Sequence, residues 1–166
     1  NISERKQAEL AMHESEARYR SLFENSPIAI WEEDFSEVKK HIDSLKQQGI
    51  TDFRAYFESY PEETIRCKKM IKILDLNNAA LEMYEADSKE ELIRVAMEDF
   101  SKGEMENIVE DLVAVAEGRT SHTWEGEDET LTGKPLEISL TRSLGPGHEK
   151  DYSKVIVTTV DITERK

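Results

Sequence analysis

The side chains able to do chemistry are few and scattered. The four histidines are His13, His41, His122 and His148, and none stands at metal-ligand spacing from another histidine or from the single cysteine, Cys67. His13 and His148 read as exposed, one on a helix and one in a turn. His41 borders a helical apolar face and reads as a solvated or capping residue. His122 alternates with Trp124 along a strand, within reach of a pocket or of solvent. Acidic runs occur at Glu32-Glu33-Asp34 and at Glu127-Asp128-Glu129. General acid–base work needs two carboxyls in different environments within a cleft, whereas runs at strand ends read as solvated. No phosphate-cradling glycine loop, dinucleotide turn or Gly-x-Ser-x-Gly elbow occurs.

What remains is binding. A pocket between a sheet and its helices would draw on Trp31, Tyr84, Phe100, Trp124, Ile138 and Arg142. Each has a plainer alternative: the aromatic residues and Ile138 as core, and Arg142 as half of a surface ion pair. An inward Arg142 would imply an anionic ligand.

Those residues must be positioned by elements, and the periodicity names them. Over 3–24 there is no Gly or Pro, and Ala8, Met12, Ser15, Tyr19 and Leu22 recur at spacings of four and three. This predicts one long amphipathic helix with a weak heptad-like seam, lying on its own core or on a second copy. Pro27 ends it. "IAIWEED" (28–34) predicts a strand with Ile28, Ile30 and Trp31 inward. Phe35, Val38, Ile42 and Leu45 share a helical face that stops at Gly49, and helical pieces continue to residue 69. A second strand (70–77), anchored by Ile71, Ile73 and Leu76, precedes helices over 77–86, 88–95 and 101–118. Alternating runs at 120–129, 134–144 and 154–162 then predict three antiparallel strands, the last central and covered on both faces. The fold class is α+β: a five-stranded antiparallel sheet closed on one face by the middle helices.

Composition limits the partners. With 36 acidic against 22 basic residues and a net charge of −14, no basic stripe exists to displace counterions from nucleic acid or to hold an anionic membrane. One cysteine permits no internal disulfide, and no apolar run reaches membrane-spanning length. A cytoplasmic fragment of a longer protein is the expectation, since the chain starts at Asn1 rather than Met.

The words "SEARYRSLFENSPIAIW" (15–31), "ILDLNNAALEMYEA" (73–86) and "VTTVDITERK" (157–166), in this order, resemble the PAS sensory-domain family nearly end to end. Residues 35–69 depart from the usual short connection and resemble a subfamily with a helical insert. The resemblance implies a connector and dimerisation helix over 1–24, a PAS domain over 25–163 and the start of a signalling helix at 164–166. It implies a non-catalytic sensory module of a histidine kinase or cyclic-di-GMP enzyme, with flanking PAS and output domains in the same chain. Homodimerisation would run through Met12, Tyr19 and Leu22. A ligand-free spacer is the alternative, and an α+β barrel-like enzyme the remote one. The flavin-binding segment of light-sensing members is missing, because Cys67 precedes the second strand. So is the haem histidine, because 77–118 holds no His. An unidentified small molecule stays open as ligand. Finally, "NISERK" at the start echoes "DITERK" at the end. Asn1 and Asp161 can each accept from a backbone N–H two or three residues on, with Glu4 or Glu164 reaching back. That makes Asp161, Thr163 and Glu164 the expected signal-transfer joint.

Overall fold

The computed structural model describes residues 1–165; Lys166, the end of the expected signalling helix, lies outside them. The chain runs α1 (Ile2–Asn25), β1 (Ala29–Asp34), α2 (Ser36–Gln47), α3 (Phe53–Ser59), α4 (Pro61–Met70) and β2 (Lys72–Leu76). It continues with α5 (Asn78–Tyr84), α6 (Lys89–Met97), α7 (Lys102–Ala116), β3 (Ser121–Glu129), β4 (Pro135–Leu144) and β5 (Val155–Asp161), and ends on one 3₁₀ turn, Thr163–Arg165. The strands form one five-stranded sheet in the order β2-β1-β5-β4-β3, antiparallel throughout.

Local chemistry explains the helix boundaries. Asp52, Asn77, Ser88 and Ser101 each cap a helix by accepting a backbone N–H from the first turn. Pro61 opens α4, where its missing N–H costs nothing. Asn77 does more than cap. Its Oδ1 accepts from Ala80 N (3.1 Å) and Ile30 N (3.0 Å), and its Nδ2 donates to the carbonyls of Phe23 (2.8 Å) and Ile28 (2.9 Å). A fully buried amide, satisfied four times over, thus ties the end of α1, β1 and α5 together.

The core lies on the sheet's inner face. β4 contributes Leu136, Ile138 and Leu140, β5 contributes Val155 and Val157, and α7 lays Ile108, Leu112 and Val115 across them. The helical insert docks onto the same body: Phe35, Val38, Ile42, Leu45, Phe53, Phe57 and Cys67 are all buried. Three details differ from the sequence reading. In β1 the inward row is Ala29, Trp31 and Glu33, and Ile28 is 48% exposed. "IAIW" is apolar on both faces, so alternation could not fix its phase. β5 is central in the order, yet its outer face is half-exposed and Val160 is exposed, so the helices pack on one face and only the end of α1 touches the other. And α1 does not lay its stripe on the sheet: residues 1–22 are all exposed, and Phe23 is the helix's one buried residue. Its C-terminal end rests on the sheet's outer side, where the Tyr19 hydroxyl donates to Glu32 and Lys154 Nζ lies 5.3 Å from the Tyr19 ring.

Candidate ligand cavity

A cavity of about 840 Å³ lies between the inner face of the sheet and the helices α4 to α7. β1 supplies Trp31 and Glu33, β3 supplies Trp124 and Asp128, β4 supplies Ile138, Leu140 and Arg142, and β5 supplies Val157 and Thr159. Tyr84, Leu92, Glu104, Ile108 and Lys68 close it from the helices. Exposed residues Glu98, Ser101, Gly103, Glu127 and Glu129 also border it, so it opens to solvent between α6, the start of α7 and the end of β3.

Inside, two cations are held by carboxylates. Arg142 Nη1 donates to Asp111 Oδ2 at 2.5 Å and its Nε to Glu33 Oε1 at 3.3 Å, with the guanidinium 5.5 Å from the Phe35 ring centroid. Asp111 is fully buried on α7. Its Oδ1 also accepts from Trp124 Nε1 (3.2 Å) and meets His122 Nε2 at 2.6 Å. Burial pushes the Glu33 carboxyl above its ordinary range; the Arg142 charge opposes that, and Asp111 adds to it. At the other pole Lys68 Nζ donates to the Asp99 carbonyl and stands 3.3 Å from Glu104 Oε1. Desolvation lifts the Glu104 carboxyl to about 7 against the pull of Lys68 and Arg142. Tyr84 donates its hydroxyl to Asp128 Oδ2 at 2.9 Å and meets the Trp31 ring edge-on, centroids 5.8 Å apart. Among the described residues Trp31 Nε1 is buried with no acceptor, which leaves a donor costing about 1–3 kcal/mol on the cavity wall.

Of the six residues expected at a pocket, the structure brings together Trp31, Tyr84, Trp124, Ile138 and Arg142. Phe100 is set apart: it is 37% exposed, outside the lining, with Lys68 Nζ and Lys69 Nζ 5.4 and 5.8 Å from its centroid. It lies in the link between α6 and α7, where its ring meets the two lysine ammonium groups and not the apolar walls. Several charged residues escaped the sequence reading. Glu33 and Asp128 sit in acidic runs that looked solvated, and Lys68, Glu104 and Asp111 sit in helices from which no charged residue was singled out. Strict alternation holds the one signal: Glu33 is two residues from Trp31, and Asp128 four from Trp124. His41 lies 3.0 Å from Glu63 Oε2, His122 leans into the buried cluster, and Cys67 is outside the cavity with its thiol pushed up to about 12 by burial.

No family model matches the sequence, and no curated protein matches it. Solved structures do match its fold. The PAS domain of a protein from Colwellia psychrerythraea is 19% identical over 90% of this chain and 98% of that one, with a TM-score of 0.56. The PAS domain of an HTR-like protein from Haloarcula marismortui is 16% identical over 95% and 99%, TM-score 0.55. A domain of a sensory box sensor histidine kinase/response regulator from Geobacter sulfurreducens is 18% identical over 90% and 96%, TM-score 0.54. The chain has the PAS fold.

Within that fold, α2, α3 and α4 form the helical insert between the first two strands. At the far end, Asp161 Oδ1 accepts from the Thr163 N–H (2.9 Å) and hydroxyl (2.5 Å), and Thr163 Oγ1 accepts from Glu137 N (3.0 Å). These bonds hold the Asp161 carboxyl below its usual range. Asn1 Oδ1 takes the Ser3 N–H at 2.8 Å in the same way. The repeated phrase therefore makes the same i to i+2 side-chain bond at both places, before α1 at Asn1 and after β5 at Asp161. The expected return bond from Glu4 or Glu164 is absent among the described residues, so the turn is held by Asx geometry alone.

Proposed function

We propose that this PAS domain is a non-catalytic sensory module that binds a small molecule in the cavity between α4–α7 and the sheet. The observation that carries this reading is the cavity itself, about 840 Å³ and lined by both tryptophans of the chain. A spacer domain would have packed that volume with side chains. Cavities of this size suit small organic ligands, and the unpaired Trp31 N–H is a donor that a ligand acceptor would satisfy.

Output runs through β5. Val157 and Thr159 line the cavity, and two residues beyond Thr159 the strand ends in the Asp161 turn, pinned to β4 by Glu137. A ligand that shifts β5 against β4 changes the geometry of that turn and the direction of the chain after it. The sensor histidine kinase among the matched structures supports a kinase output domain elsewhere in the chain; a cyclic-di-GMP enzyme is the second candidate. Dimerisation through Met12 and Leu22, both exposed on α1, and Tyr19 would place two such outputs side by side. Two measurements test the reading. Native mass spectrometry of gently purified protein should show a non-covalent adduct, and Asp161→Ala in the full-length protein should uncouple output while the domain stays folded. Absence of any adduct, together with unchanged output, supports the spacer instead.

A further inference from the structure

Resting on that reading, we infer that the cavity takes an organic ammonium ion rather than an anion. An inward arginine in a ligand pocket ordinarily signals an anionic guest, but Arg142 is already committed to Asp111 and Glu33, and Lys68 to Glu104 and the Asp99 carbonyl. Those are the cavity's two cations. Its remaining charge is negative: Glu98, Asp99 and Asp128 border the cavity on the side where it opens, while Glu127 and Glu129 alternate with Asp128 and turn their carboxylates to the other face of β3. Among the described residues only Glu98 has a basic partner, the exposed Arg94. A single-sign rim over apolar walls concentrates field in the opening and draws in the opposite charge.

The walls suit the same guest. Trp31, Tyr84 and Trp124 line the interior, and aromatic faces attract ammonium groups most strongly once these are desolvated. Asp128 is positioned between rim and rings. It is half-buried, and its Oδ2 is oriented by the Tyr84 hydroxyl. An anion would meet acidic side chains at the opening and, among the described residues, no free cation within.

Three near-isosteric probes separate the possibilities: 2-phenylethylammonium, 2-phenylethanol and 3-phenylpropionate, titrated into the whole chain by calorimetry at low and high salt. The ammonium should bind about tenfold more tightly than the alcohol, lose affinity with salt, and outcompete a carboxylate that does not bind. Asp128→Asn should weaken the ammonium severalfold and leave the alcohol unchanged, the alcohol showing that the variant is folded. Equal binding of alcohol and ammonium overturns the ammonium assignment while leaving the cavity a ligand site. Tighter binding of the carboxylate overturns it outright. If no probe binds, the assignment falls, and native mass spectrometry still decides whether the cavity holds any ligand.

Discussion

The insert and the cavity sit on the same core and are built in opposite ways. Around α2, α3 and α4 the buried side chains are mainly apolar, Val38, Ile42, Leu45, Phe53, Phe57 and Cys67, with Thr64 bonded to the Phe57 carbonyl and Lys68 turned to the cavity. Across the sheet toward α6 and α7 the buried set includes Glu33, Asp111 and Arg142, beside a cavity. One region gains stability from shape and apolar burial. The other holds charges in low dielectric, where each stays tolerable only while its partner remains. Apolar packing and buried charge are thereby divided between neighbouring parts of one domain.

That contrast can be broken at either side. Asp111→Ala strands Arg142 and frees Trp124 and His122; it should cost about 3–5 kcal/mol in chemical denaturation. Phe57→Ala should cost a similar amount, about 3–5 kcal/mol, by leaving a void. The two should part in the indole spectrum, since Asp111→Ala alone displaces the Trp124 signal. Asn77→Ala comes next, at about 2–3 kcal/mol, because it leaves buried backbone groups of β1, α1 and α5 without partners.

Glu104→Gln should act through pH. With its carboxyl near 7, the folded chain keeps a proton that the unfolded chain has already lost above the ordinary carboxylate range. That stabilisation is complete at acid pH and disappears as the pH rises through about 7. Wild-type stability should therefore fall by roughly 1–3 kcal/mol between about pH 5 and pH 8 on account of this group, and the variant should lack that part of the fall. The smallest effect belongs to α1. Met12→Ser and Leu22→Ser should change monomer stability by no more than about 0.5 kcal/mol, and should lower the dimer fraction in sedimentation if the exposed stripe pairs two copies.

The sequence made the apolar architecture easy to read, because it repeats: the β4 alternation and the insert face at Phe35, Val38, Ile42 and Leu45 both fell on the core. The polar half of the cavity was harder. Glu33 and Asp128 are embedded in acidic triplets, where the inward member looks like its solvated neighbours until the phase of the strand is known. Asp111 is fixed by contacts to Arg142, His122 and Trp124 that lie 11 to 31 residues away in sequence, and no local pattern encodes such a meeting. Asn77 had a legible cue, an Asn ahead of a helix, yet the cue announces one of its four bonds.

The central claim is that the cavity is a ligand site, and the chain carries its own reporters, because its two tryptophans, Trp31 and Trp124, both line it. The direct test is the pair of indole N–H signals in a ¹H–¹⁵N spectrum during titration with 2-phenylethylammonium. Both signals should move saturably and together, the Trp31 signal from the position of an unbonded N–H. Fixed indole signals through a titration that shifts only exposed residues would contradict the account.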